Sequence, residues 1–179
     1  MKILAICGSL RSKSYNLAIL LEARSQWNKI TEFDLFNQLE EIPPFNPDRE
    51  TPPPSVVDLR ARVLSADTIL VASPEYVHGI PGALKNALDW LVGSGEWDGK
   101  CTAIINVTPS AMEPQYVREG LAEVLRVMSG GNLVEQASFV VTAAFKKFDA
   151  EGRITDQALR AQLAHSLKAL EQAVKDRKK

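Results

Sequence analysis

Cysteine is scarce in this chain. Cys7 and Cys101 are the only two in 179 residues, too few for a disulfide scaffold. Each stands in an apolar run, so both read as small core hydrophobes. Histidine is equally sparse. His78 and His165 lie far apart, the cysteines are no closer, and no zinc or iron ligand spacing results. His165 falls inside a helical pattern and reads as surface. An excess of one charge is also missing: 21 Lys and Arg oppose 22 Asp and Glu, a formal net charge of -1. Without a positive field there is no footprint for nucleic acid. The tail Lys175, Arg177, Lys178 and Lys179 reads as a solvated helix end. No apolar run reaches the ~18–20 residues of a membrane span. The opening Met1 to Cys7 is too short for a signal h-region. A cytoplasmic address is the expectation. Glu75 has no second carboxylate at a fixed spacing, so a glycosidase pair is excluded.

What remains is an ordinary globular composition, 45% hydrophobic and 24% charged, and residues 1–179 read as a single domain. Lys2 to Cys7 is apolar without alternation, the pattern of a strand covered on both faces. A helix follows from Asn16 to Trp27, then a more exposed strand from Ile30 to Leu35. Residues 36–54 hold Pro43, Pro44, Pro47, Pro52, Pro53 and Pro54, a stiffened surface connection. Ser55 is the expected cap of a helix from Val56 to Ser65. Strands are expected at Asp67 to Ser73, Lys100 to Val107 and late in Leu133 to Val141. Helices are expected at Pro81 to Val92, Pro114 to Met128 and Thr155 to Lys175. Strands and helices alternate five times, which is an α/β sandwich with a parallel sheet between two helical layers. The pattern leaves strand order open. In such sheets ligands sit beyond the carboxyl ends of the strands.

Three loops occupy those positions. Loop one, residues 8–16, offers Gly8, the hydroxyls of Ser9, Ser12 and Ser14, the cations Arg11 and Lys13, the Asn16 amide and the N–H groups of a helix start. That donor set suits a phosphate monoester. It matches neither GxGxxG nor GxxxxGK[ST]. Loop two, residues 73–82, is stiffened by Pro74, Gly79, Pro81 and Gly82. Its backbone groups can read the edge of a flat polar ring while Tyr76 or Ile80 supplies apolar contact. Loop three, residues 108–116, has small side chains at Ser110 and Ala111 that permit close approach. A phosphate site beside a planar slot suggests flavin mononucleotide. A nucleotide monophosphate or a phosphorylated sugar would also satisfy loop one.

These residues resemble a known family. Gly8-Ser9-Leu10-Arg11-x-x-Ser14-x-Asn16 resembles the phosphate loop of the NADPH-dependent FMN reductases. Pro74-Glu75-Tyr76-x-x-Gly79-x-Pro81-Gly82-x-Leu84-Lys85-Asn86-x-Leu88-Asp89-Trp90 resembles their flavin wall and the helix after it. The group includes NAD(P)H quinone, azo-dye and chromate reductases.

The resemblance implies a flavodoxin-like three-layer sandwich with a five-stranded parallel sheet of order 2-1-3-4-5. It implies an oxidoreductase passing hydride from NADPH or NADH through FMN to a small acceptor such as a quinone, flavin, azo compound or metal oxyanion, without a catalytic side chain. Ser9, Arg11, Ser14 and Asn16 would hold the FMN phosphate. Pro74, Glu75, Tyr76, Val77, His78 and Gly79 would line the isoalloxazine, with Ser110 and Ala111 near it from loop three. Lys85, Asn86 and Asp89 would support the site and a subunit contact in a homodimer or homotetramer. Many relatives have asparagine in place of Val77 and serine or threonine in place of Gly79. Many also have a glycine-rich stretch in place of Met112-Glu113-Pro114. Those departures leave open a one-electron or non-enzymatic FMN protein, or an enzyme of another phosphorylated ligand.

Overall fold

The computed structural model describes residues 1–27 and 33–177. In chain order the elements are β1 (Ile3–Cys7), α1 (Tyr15–Gln26), β2 (Phe33–Phe36), α2 (Pro54–Ser65), β3 (Thr68–Ser73), α3 (Gly82–Val92), β4 (Cys101–Val107), α4 (Gln115–Met128), β5 (Phe139–Val141) and α5 (Gln157–Arg177). The strands form one sheet of order β2-β1-β3-β4-β5, and every neighbouring pair is parallel. The flavodoxin-like order implied by the resemblance is the order observed.

Successive side chains of a strand point to opposite faces. Ile3, Ala5 and Cys7 of β1, with Ala103, Ile105 and Val107 of β4, pack in one cluster with Ile19 and Leu20 of α1 and Leu163 and Leu170 of α5. Leu4 and Ile6, with Ile69, Val71 and Ile104, pack in a second with Leu59 of α2, Leu88 of α3 and Leu121 of α4. Both faces of the central strands are dry. That is why β1 shows no alternation of polar and apolar residues. β2 lies at the sheet edge and is only half-buried over most of its length, as its mixed composition implies. Residues 30–32 of the expected second strand, and Lys178 and Lys179 of the basic tail, lie outside the described residues.

Element ends differ from the sequence expectation where proline is involved. Ser55 does not cap α2. The helix starts at Pro54, with Pro53 at the cap position, because the ring pre-sets a helical φ and the first-turn N–H it lacks would be unpaired anyway. Pro81 and Pro114 stand just outside α3 and α4 rather than within them. The fifth strand is short because Glu135–Ala137 turns as a 3₁₀ helix. The Ile104 N–H then donates to Ser138 Oγ at 3.0 Å instead of to a neighbouring strand.

The proline-rich connection is fastened to α3. Asn86 Nδ2 donates to the carbonyls of Ile42 and Pro43, and its Oδ1 accepts from the Phe45 N–H. Trp90 Nε1 donates to the Pro43 carbonyl at 2.8 Å, and Phe45 meets the Trp90 ring edge-on. Trp90 is thereby a buried core residue. Its neighbour Asp89 is half-buried and pairs with Lys85 one turn earlier.

Candidate functional site

Strand order and register bring the three loops together. β1, β3 and β4 are adjacent, with Cys7 opposite Ala72 and Ser73 opposite Asn106. Residues 8–14, 74–81 and 108–114 therefore leave the sheet side by side at its carboxyl edge. Gly8 makes the first seam: its N–H donates to the Ala72 carbonyl at 2.7 Å. A methyl group there would lie 3.0 Å from that oxygen and from Leu84 Cδ2. Any side chain there would push β3 or Leu84 aside by a few tenths of an ångström, so glycine suits this close approach.

In loop one Ser14 caps α1, its hydroxyl accepting from the Asn16 N–H at 3.1 Å. The first turn of α1 carries no acidic residue, so no side chain of that turn offsets the positive end of the helix. Ser9 is buried, and its Oγ receives only a long 3.4 Å contact from the Arg11 N–H. The Arg11 and Lys13 side chains are exposed and take no hydrogen bond or ion pair among the described residues. Hydroxyls, helix N–H groups and two unengaged cations make a donor set for a dianionic phosphate. Asn16 is placed differently. It is buried, Nδ2 donates to the Val107 carbonyl at 3.0 Å, and Oδ1 accepts from the Val107 N–H at 3.2 Å. Its carboxamide ties α1 to the end of β4.

Loop two is a tight hairpin. Tyr76 and Gly79 exchange both backbone hydrogen bonds, at 3.2 and 3.1 Å. Val77 and His78 between them both have positive φ, 49° and 56°, the geometry of a type I′ turn. The Val77 side chain is 99% exposed and Tyr76 is also open. Glu75 turns the other way: its Oε2 accepts from the Val117 N–H of α4 at 2.9 Å. Its Oε1 lies 3.6 Å from His78 Nδ1, and the His78 ring meets Tyr116 edge-on with centroids 4.4 Å apart.

Loop three exposes Ser110, Ala111 and Met112. Its start is held from outside, the Ala143 N–H donating to the Ser110 carbonyl at 2.7 Å and the Ala144 N–H to that of Thr108.

The partner segment, residues 142–152, is a fourth loop at the same edge that sequence reasoning did not single out. It borders a cavity of about 410 Å³ beside loop one, lined by Lys13, Tyr15, Leu21, Asp149 and Gly152. The left-handed Ala143 carries no residue-type signal of its turn. Asn106 was also missed. It is 1% exposed, its Nδ2 donates to the Ser73 carbonyl at the root of loop two, and its Oδ1 has no hydrogen-bond partner among the described residues. A lone amide inside Ala103-Ile104-Ile105-Asn106-Val107 was the available signal.

Cys7 and Cys101 are both buried and unpaired. Burial pushes the Cys7 thiol above its ordinary range, against a smaller opposing effect of its contact with the Ser9 carbonyl. Burial likewise raises Cys101. Neither presents a thiolate to the loops.

Comparison with known proteins bears on the family and the fold. The sequence profile described as NADPH-dependent FMN reductase matches residues 1–146. The chain is 33% identical over 174 residues to the NAD(P)H-dependent FMN reductase of Pseudomonas aeruginosa, covering 95% of this chain and 93% of that protein. It is 32% identical over 181 residues to the NADPH:quinone oxidoreductase of Arabidopsis thaliana, covering 95% and 90%. Among solved structures, a flavoenzyme NAD(P)H:(acceptor) oxidoreductase from Paracoccus denitrificans superposes with a TM-score of 0.80 at 24% identity, covering 98% of this chain and 97% of that one.

Proposed function

The chain belongs to the NADPH-dependent FMN reductase family, and from that premise we propose how this FMN-dependent NAD(P)H oxidoreductase uses its loops, with residues 1–179 acting as one FMN-binding domain. The chemistry a bound FMN supplies is two-electron exchange between a reduced nicotinamide and a small acceptor. Ser9, Arg11 and Ser14, with the first N–H groups of α1, hold the phosphate. The observation that carries this reading is the donor set of loop one: two exposed cations with no hydrogen-bond or ion-pair partner among the described residues, at a helix whose first turn has no acidic residue. Asn16 fixes the angle of that helix through Val107. Pro74, Tyr76 and the turn through Val77, His78 and Gly79 form one wall for the ring, and Ser110 and Ala111 approach it from loop three. No side chain is required as a nucleophile.

The acceptor class is a quinone or a comparably flat, electron-poor molecule. Quinone reduction is the named activity of the Arabidopsis relative, and the open turn at Tyr76 and Val77 leaves space beside the wall. No helix among the described residues is long and apolar enough to cross a membrane. The use of NAD(P)H and the two unpaired cysteines favour a cytoplasmic place of action. The active form is a homodimer joined through α3 and α4, where Val92 and Val127 are exposed beside the Lys85–Asp89 pair. Sedimentation velocity reads that assembly directly.

Arg11→Ala tests the phosphate assignment. Loss of a charge-assisted contact costs about 1.5–3 kcal/mol, on the order of 10- to 100-fold in Kd. Flavin-fluorescence titration of the apo variant should show that weakening with folding intact. Unchanged affinity would remove Arg11 from the site. Anaerobic bleaching of the flavin band by NADPH or NADH separates a two-electron reductase from a one-electron carrier.

A further inference from the structure

Glu75 stands in the loop expected to touch the ring, yet its carboxylate points to a helix 42 residues further along the chain. The start of α4 explains why. Pro114 at the cap position makes no side-chain hydrogen bond, and the first turn contains no acidic residue. The helix thus lacks both the usual capping oxygen and a charge to complement its positive end. Glu75 Oε2 provides both, accepting from the Val117 N–H at 2.9 Å. Its other oxygen faces His78 at 3.6 Å, and His78 rests on Tyr116, the residue before Val117. Loop two and the first turn of α4 are therefore joined through one carboxylate and one ring contact. Loop three lies between them in sequence, and its other end is held by Ala143 and Ala144.

We propose that Glu75 is a positioning residue that sets the separation of loop two from α4, and through it the slot between loops two and three. The inference rests on the proposed placement of FMN between those loops. Glu75 neither contacts the ring nor transfers a proton. Its carboxylate acts through α4, so a substitution there changes cofactor affinity by loosening a wall.

The experiment compares Glu75→Ala and Glu75→Gln with the wild-type protein in three measurements: amide hydrogen exchange at Val117 without cofactor, thermal unfolding, and FMN titration at a temperature where all variants are folded by circular dichroism. Glutamine keeps an oxygen that accepts from the Val117 N–H. The expected result is lost protection at Val117 and at least ~10-fold weaker FMN binding in Glu75→Ala, with Glu75→Gln close to wild type in both. A Val117 amide that stays protected in Glu75→Ala overturns the clamp. So does a deprotected Val117 with FMN affinity unchanged, the outcome of a cap that serves folding alone. A Glu75→Gln variant that protects Val117 but binds FMN as poorly as Glu75→Ala assigns the charge to the ligand instead, and also overturns it. Failure of the wild-type protein to bind FMN overturns the functional reading itself, while the exchange data still report on the contact. Should Glu75→Ala not fold, Glu75→Met, which keeps the length of the side chain without a carboxylate oxygen for the Val117 N–H, gives the same exchange and titration comparisons.

Discussion

At the scale of the residue, Val77 is the strained point of the site. A β-branched side chain at φ 49° is an outlier, because its Cβ substituents crowd the backbone in the left-handed region. The side chain has nothing to compensate it, being 99% exposed. Strain held at a binding loop is a common feature of functional sites. Val77→Asn should raise stability by about 1 kcal/mol, since asparagine is favoured at the first central position of a type I′ turn. Urea denaturation with an unchanged m value is the check; a loss of stability would mean that the turn does not hold this geometry. The positions of the breakers in loop two were legible in the sequence. The sign of φ was not, because valine gives no sign of a left-handed backbone. For the same reason the direction of Glu75 was invisible. A carboxylate between Pro74 and Tyr76 reads equally as a ligand contact or a cap, and only the location of α4 decides.

At the scale of the element, α1 and β4 are coupled through one carboxamide. Asn16 pairs with both the N–H and the carbonyl of Val107 in a dry environment. Removing one partner of a buried hydrogen bond leaves its mate unsatisfied. Asn16→Ala should therefore destabilise the fold by about 2–3 kcal/mol, whereas Arg11→Ala, exposed five residues earlier, should stay within about 0.5 kcal/mol of wild type. Equal unfolding midpoints for the two variants would refute the division between a structural asparagine and an arginine that the fold does not need. The resemblance groups Asn16 with the phosphate contacts, whereas the partner the structure gives its carboxamide lies 91 residues away, beyond the reach of local pattern. The short 3₁₀ turns were not legible in the sequence; the five strands and five helices of the described residues were, from apolar spacing. Element ends were less so. Prolines at 53, 81 and 114 stand outside the helices they introduce. The fifth strand occupies the late part of its expected range, but the 3₁₀ turn before it is not announced by its mixed sequence.

At the scale of the whole molecule, alternation of strands and helices sufficed for the layered sandwich, because strands buried on both faces must be covered by helices on both. Strand order was not contained in that alternation and came only with the family pattern. It is the order that matters for function, since β1, β3 and β4 must be neighbours for the three loops to share an edge. The outer surface of the α3–α4 layer makes a separate demand. Val92 is 58% exposed and Val127 68%, and they line one groove with Leu88, Val124 and Met128. Lys85, Asp89 and Glu123 lie on the same groove. An apolar strip edged by paired charges suits a self-complementary contact, in which each Lys–Asp edge can meet its own image across a two-fold axis. Val127→Arg places a charge at the centre of that strip on both copies. It should shift sedimentation from dimer to monomer with the circular dichroism spectrum unchanged, because the substituted side chain is outside the core. A variant that sediments as wild type would rule out this face as the interface. A wild-type protein that is already monomeric at micromolar concentration would rule out the dimer.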